Sequence, residues 1–417
     1  MFVTNCKRNT TIMLIIVLSL LISKVAAAET TLPALAAEAA VLIDAQTGQV
    51  LFEKNMHQQK YPASITKVMT GLIALEKGEE TDTLVISSEA VFSIEKNSAH
   101  IALDVAEEIT LEQALYALSI PSANDAANGI AEYLAGDQGS FARLMTAKAA
   151  ELGAKNTNFV NAHGLEDAQH YTTAYDMAII MMAAIKNPRF CEIFSETRYE
   201  ILPTNIQPEI RYLHSTNALL NGLYPYEGII ASKSGWTSSA KHTLVTAAQR
   251  GSQKLIAVVL GCQNKDDRYL DTANLLDYGF EQFKTVTFDS QELLKDTADL
   301  DEVKKIAPAG KISRLLHQSL EPQDIKKTIS ITNQTDNKLE LQLTLTLKNA
   351  SDLMYADLGK IPLSINLAGA TKNQGFYYLP YFFAVLLLLA AALRIRAVRR
   401  RRRRQRLRLK KRYWGHV

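Results

Sequence analysis

The sequence predicts an α+β protein: a mixed main domain, then a small all-β domain, then a C-terminal membrane helix. Three observations carry this. Strand-like apolar runs near both ends of residues 36–283 enclose a long helix-forming stretch. Leu339, Leu341, Leu343, Leu345 and Leu347 alternate with polar residues, the period of a strand with one buried face. Tyr377 to Leu393 is apolar and uncharged, about the minimum length for a membrane span.

The elements follow in order. Lys7 and Arg8 precede an apolar run from Ile12 to Ile22, and Ala26-Ala27-Ala28 offers small residues for cleavage. Residues 1–28 therefore read as a secretory signal peptide. Cys6 precedes the apolar run and is poorly placed for lipid attachment. Val41 to Asp44 and Val50 to Phe52 flank Thr47-Gly48 as strand, turn and strand. Val68, Met69, Leu72, Ile73 and Leu75 share one face of a helix that Ser64 would begin. Glu89 to Leu152 is mostly helix-forming, and a further helix over Thr173 to Ile185 is capped by Thr172 or Thr173. Thr243 to Ala248 and Leu255 to Leu260 read as a hairpin about Arg250-Gly251-Ser252, close to Lys233. Thr272 to Phe283 returns to helical spacing.

After Phe283 the composition changes. Ile329 to Thr332 and Ile361 to Ile365 add further strands, so residues 286–370 read as a small β domain. No titratable cluster stands out there, which favours a spacer. A transmembrane helix over residues 376–394 has Tyr377, Tyr378 and Tyr381 at one end and arginines at the other. Positive charge stays on the cytoplasmic side. The main domain then lies outside the cell membrane on a single C-terminal span, and residues 395–417 form a basic cytoplasmic tail.

The net charge of +3 conceals an asymmetry. Arg394 to Arg412 carries thirteen basic residues and no acid, so the rest of the chain stands at about −10. Basic character therefore belongs to the tail, where membrane lipid explains it better than nucleic acid. Once the signal is removed only Cys191 and Cys262 remain. A disulfide and two free thiols are both open. His163, His170 and His242 show no metal-binding spacing, so neither a metal nor another cofactor is expected.

Three short polar motifs carry the chemistry: Ser64-Ile65-Thr66-Lys67, Ser122-Ala123-Asn124 and Lys233-Ser234-Gly235. Three residues along a helix bring Lys67 onto the face of Ser64. A serine hydroxyl needs a base to become a nucleophile. Lys67 is that base only when neutral, which burial and a nearby cation such as Lys233 would favour. The Ser64 N–H, at a helix start, is free for a developing oxyanion, and the Trp236 N–H can complete that hole. Ser122 can relay a proton to a leaving amine and Asn124 can hold a substrate backbone. Taken alone, either residue reads more simply as a helix cap. Lys233 and Ser234 suit a substrate carboxylate, and Gly235 permits a close approach to the strand. Ser93-Ile94-Glu95-Lys96 and Ser215-Thr216-Asn217 imitate two of these motifs in less suitable settings.

The ordered set resembles the Ser-x-x-Lys, Ser-x-Asn, Lys-Thr-Gly pattern of penicillin-binding proteins and β-lactamases. Within that group it is most similar to the low-molecular-weight D-alanyl-D-alanine carboxypeptidases, over about residues 36–283. Pro62 to Thr70, Pro121 to Ala126, Phe159 to Leu165 and Thr173 to Asp176 support the likeness. The resemblance implies a β-lactamase/DD-peptidase-like fold, with an antiparallel sheet flanked by helices, a helical subdomain and the site between them. It also implies acylation of Ser64 by a peptidoglycan stem peptide, release of D-alanine, and acylation of the same serine by β-lactam antibiotics. Lys67 would be the base, Ser122 the proton relay, and Asn124, Lys233, Ser234 and Gly235 the substrate contacts. Ser234 stands in place of the usual Thr, and Ala162 in place of the usual Pro. Rival readings are a β-lactamase, a DD-endopeptidase and a non-catalytic scaffold. Glu166 is suggestively placed for the first, but the Glu-x-x-Leu-Asn segment is absent.

Overall fold

The structure, a computed structural model, describes residues 32–289, 311–335, 338–347 and 357–366. The chain divides into two compact units, and the site lies wholly in the larger, residues 1–300, 308–329 and 343–361.

The strands of the main domain are Ala39–Asp44 (β1), Val50–Lys54 (β2), Thr83–Val85 (β3), Glu108–Thr110 (β4), Arg198–Ile201 (β5), Arg211–His214 (β6), Ile229–Thr237 (β7), Lys241–Arg250 (β8) and Gln253–Cys262 (β9). Its helices are Lys67–Lys77 (α1), Ser88–Phe92 (α2), Leu111–Ser119 (α3), Asn124–Ala135 (α4), Gln138–Leu152 (α5), Ala174–Ala184 (α6), Pro188–Ser195 (α7) and Asp267–Gln282 (α8). Five strands form an antiparallel sheet in the order β2-β1-β9-β8-β7. The first and last parts of the domain thus build one sheet, with most of the helices inserted between them. The α+β architecture read from the sequence is the one observed.

The β1–β2 turn forms because Asp44 accepts from the Gln46 N–H at 3.2 Å and from the Thr47 hydroxyl, with Gly48 at φ 73°. In α1, Val68, Met69 and Ile73 are wholly buried. They belong to a core shared with Val41 and Ile43 of β1 and Val258 and Leu260 of β9. Helix α6 is apolar on most of its faces and almost entirely buried, and Thr173 caps it, accepting from the Asp176 N–H at 3.0 Å.

Several expectations change in detail. Ser64 does not begin the helix: it lies second in a 3-10 turn, Ala63–Thr66, and the α-helix starts only at Lys67. The helix-forming stretch from Glu89 is broken: residues 93–107 are non-helical and lead into β4. There Asp125 accepts the backbone N–H groups of Ile101 and Leu103, each at 3.1 Å, on either side of Ala102 at φ 55°, and so fixes a non-helical path. The β5–β6 hairpin went unread in the sequence. It is anchored by Arg211, which donates to the wholly buried Glu107 carboxylate at 2.6 and 2.8 Å. Cys191 and Cys262 are free thiols.

After the main domain, Phe283–Asp289 (β10) pairs antiparallel with Lys311–His317 (β11). The Gln49 side chain exchanges two hydrogen bonds with the Leu315 backbone, at 2.7 and 3.2 Å. Ile325–Thr335 (β12), Lys338–Leu347 (β13) and Asp357–Asn366 (β14) follow as strands, so the leucine alternation lies on β13. Among the described residues no helix is long and apolar enough to cross a membrane. The signal at 1–28, the span at 376–394 and the basic tail at 395–417 lie outside them.

Candidate active site

The three motifs converge. The Ala63–Thr66 turn carries Ser64, the loop between α3 and α4 carries Ser122, and the last strand of the sheet, β7, carries Lys233 to Trp236. Strand β7 lies alongside the Ser64 turn.

Lys67 is the centre of the site. Its side chain is wholly buried, and Nζ lies 3.2 Å from Ser64 Oγ, 2.7 Å from Asn124 Oδ1 and 2.8 Å from the His163 carbonyl oxygen. Among the described residues no carboxylate bonds it directly. Burial pushes its pKa well below 10.5, the Lys233 charge adds to the shift, and Asp125 opposes it. A neutral amine beside a serine hydroxyl is what nucleophile activation needs. Lys233, also buried, donates to the Ser234 carbonyl at 2.9 Å, and burial together with Arg268 lowers it to about 7.

Ser122 is held at φ 67°, a left-handed conformation that non-glycine residues seldom adopt. Its hydroxyl is buried with no hydrogen-bond partner among the described residues. The simpler reading of Ser122 or Asn124 as a cap fails, because α4 is capped by Ala123 without a side-chain bond. Asn124 spends its amide oxygen on Lys67, which leaves its NH2 group for a substrate.

The close approach at Gly235 is made by the protein itself. A Cβ there would stand 2.7 Å from the Ser64 nitrogen and 2.6 Å from Thr243 Oγ1. Glycine therefore lets β7 press against the Ser64 backbone. Trp236, next along, is 58% exposed. The imitation motifs are occupied elsewhere. Ser93 Oγ accepts from Asn128 and Gln138, and Asn217 donates to Ser232 Oγ.

Four supporting groups escaped the sequence reading. The His163 carbonyl receives Lys67. Gly164, at φ 90°, packs so closely that a Cβ would fall 1.9 Å from the Ala63 oxygen. Thr243 Oγ1 donates to the Pro62 carbonyl at 2.9 Å. Arg268 Nη1, from α8, donates to the Gly235 carbonyl at 2.9 Å. Gly164 and the residue His163 lie in the Phe159 to Leu165 segment, but nothing in it marked the His163 carbonyl. His163 and His170 are both buried, and burial lowers both, His170 to about 4. His170 Nδ1 accepts the Val160 N–H at 3.2 Å, so its Nε2–H donates to Thr66 Oγ1 at 2.9 Å.

Comparison with known proteins agrees with this geometry. The family description D-alanyl-D-alanine carboxypeptidase, peptidase family S11, matches residues 25–264. The chain belongs to this family. It is similar to D-alanyl-D-alanine carboxypeptidase DacF of Bacillus subtilis, 34% identical over 71% of this chain and 76% of that protein. It is 33% identical to DacA of Escherichia coli over 61% of this chain and 63% of that protein. Among solved structures, a D-alanyl-D-alanine carboxypeptidase from Mycobacterium tuberculosis matches at 30% identity and TM-score 0.56, covering 61% of this chain and 95% of that one. The Streptomyces K15 DD-transpeptidase matches at 28% identity and TM-score 0.56, covering 60% and 99%. As a family S11 member the chain is a serine-type D-alanyl-D-alanine carboxypeptidase, a hydrolase.

Proposed function

We propose that the protein trims the terminal D-alanine from peptidoglycan stem peptides through an acyl-enzyme on Ser64. The observation that carries this is the buried Lys67 amine, 3.2 Å from Ser64 Oγ and with no carboxylate bonded to it among the described residues. Lys67 takes the Ser64 proton as Oγ attacks the penultimate D-alanine carbonyl carbon. The Ser64 and Trp236 N–H groups receive the oxyanion. The proton returns through Ser122 to the amide nitrogen as the C–N bond breaks and D-alanine departs. Water then hydrolyses the ester. Lys233 and Ser234 bind the C-terminal carboxylate, and Gly235 keeps the strand close. The Asn124 NH2 group holds the acyl portion.

A β-lactam acylates the same serine. Residues 1–28 serve as a signal peptide, 286–370 as a spacer and 376–394 as a membrane anchor with a basic cytoplasmic tail that meets anionic lipid. These assignments rest on the sequence and place the enzyme on the outer face of the cell membrane.

Mass spectrometry after incubation with labelled penicillin tests the site, and D-alanine release from a pentapeptide tests the activity. Label on Ser64, stoichiometric D-alanine and loss of both in Ser64→Ala are expected. Label elsewhere would overturn the site. Rapid turnover of penicillin without a persistent adduct would favour a β-lactamase.

A further inference from the structure

We propose that Glu166 is a positioning residue for acylation of Ser64: its carboxylate ties the tip of the β7–β8 hairpin to the segment that receives Lys67, and so holds the Trp236 N–H and the Lys67 amine in register across the cleft. This rests on the D-alanyl-D-alanine reading above and adds a residue to its machinery.

The tie is direct. Glu166 Oε1 accepts the Ser238 hydroxyl and the Ser239 N–H, each at 2.8 Å. Both donors belong to the turn between β7, which ends at Thr237, and β8, which begins at Lys241. Trp236 stands two residues before Ser238. At its other end Glu166 stands three residues after His163, whose carbonyl receives Lys67 Nζ at 2.8 Å. Between them Gly164 packs against the Ala63 oxygen. The proposed oxyanion donor and the proposed base thus stand on separate elements, β7 and α1, and Glu166 joins the backbone beside each.

The tip needs such a tie. Strand β7 ends the sheet and is paired on one side, with β8. Strand β8 is itself irregularly paired with β9 at this end, where the register shifts between His242 and Leu244, and a bulge disrupts the ladder and bends the strand. Thr237 Oγ1 accepts the Ala240 N–H at 3.0 Å, which closes the turn on itself. Ser238 and Ser239 are exposed. A cavity of about 380 Å³ lies beside Ser239, walled also by Lys60, Tyr61 and Tyr171, so packing there is open. Bonds to an ionised acceptor are the stronger kind. The Ser239 N–H and then the Ser238 hydroxyl lower the Glu166 carboxyl to about 2, so it remains an acceptor at neutral pH. A carboxylate so engaged holds the hairpin; it does not take a proton from water, as a β-lactamase would require.

The test uses the full chain and compares Glu166→Ala with Glu166→Gln. Glutamine keeps a carbonyl oxygen that accepts both donors and cannot act as a base; alanine loses the tie. Glu166 is exposed, so both variants should melt close to wild type. D-Alanine release from a pentapeptide gives kcat and KM, and intact-mass spectra give the rate of acylation by penicillin. Glu166→Ala should lose about tenfold in kcat and in acylation, a part of the roughly 100-fold that a misplacement near 1 Å costs. Its KM should stay within about twofold, because Lys233 and Ser234, the proposed carboxylate contacts, lie farther from the tip. Glu166→Gln should stay within about threefold of wild type throughout. Glu166→Ala at wild-type kcat and acylation overturns the tie and leaves the carboxypeptidase reading intact. Two variants equally slow also overturn it, since the charge or a basic oxygen would then be what counts. No D-alanine from wild type overturns both.

Discussion

Replacing Gly235 with alanine tests whether β7 sets the oxyanion hole by pressing on the nucleophile turn. The added Cβ would lie 2.7 Å from the Ser64 nitrogen, 2.6 Å from Thr243 Oγ1 and 3.0 Å from Ala63 Cβ. Ordinary contact needs about 3.5 Å, so something must retreat by roughly 0.8 Å. Thr243 is tied to the Pro62 carbonyl at 2.9 Å, and the other two atoms, Ser64 N and Ala63 Cβ, belong to the Ala63–Thr66 turn itself. The Ser64 amide is therefore what moves. A misplacement near 1 Å costs about 100-fold, and outright loss of one oxyanion donor costs about 100- to 1,000-fold. Gly235→Ala should slow acylation by penicillin about 100-fold, while overpacking costs about 1–3 kcal/mol of stability. The assay is the second-order acylation rate from intact-mass spectra, with a thermal melt to establish folding. Gly251→Ala is the control. Its φ of 58° is strained for alanine, yet no atom lies within 4 Å of the new Cβ. It should lose about 1 kcal/mol and acylate at the wild-type rate. A folded Gly235→Ala that acylates within about threefold of wild type would refute the reasoning.

Three further outcomes follow from buried charge. Lys233 titrates at about 7 in the fold against an ordinary 10.5, so between these values the unfolded chain holds a proton that the folded one lacks. Stability is lost as pH falls across that window and the loss is complete below about 7. Lys233→Met should melt above wild type at neutral pH, with the gap closing towards about pH 10; a pH-independent gap would contradict this. His170 is lowered from 6.5 to about 4, so stability should fall as pH drops through that interval. His170→Gln, which keeps a donor for Thr66, should flatten that limb of the melting profile, and an unchanged limb would remove His170 as its source. Arg211→Met leaves the wholly buried Glu107 without its cation. A loss of about 3–5 kcal/mol is expected in denaturant titration, and a loss below about 1 kcal/mol would show that the pair is not holding the hairpin.

How much of the site was legible depended on where each contact comes from. The Ser64–Lys67 contact could be read because helical spacing is local, and it survives the switch from a 3-10 turn to α-helix at Lys67. Ser122 could not be read by itself. As a residue type it suggests a cap, and only its left-handed backbone and unpartnered hydroxyl set it apart. The His163 carbonyl was illegible because a main-chain oxygen leaves no residue signature. Arg268 lies in a charged stretch and meets Gly235 only through tertiary packing. In the fold, β1, β2, β8 and β9 announced themselves by apolar runs about turn residues. The β5–β6 hairpin did not, because what holds it is a distant ion pair to Glu107 rather than its own pattern.

Strand β7 ends the sheet, and an unfinished sheet border invites other chains to add themselves to it. On the reading proposed above this border stays open, because the peptide lies along it. Lys233 and Arg268 place inward-pointing cations there, on the carbonyls of Ser234 and Gly235. Both side chains are already buried and bonded, and a strand that displaced those bonds would leave buried polar groups unpaired. Lys233, which on the proposed reading receives the peptide's carboxylate, would thus also deter stacking of one copy of the enzyme on another.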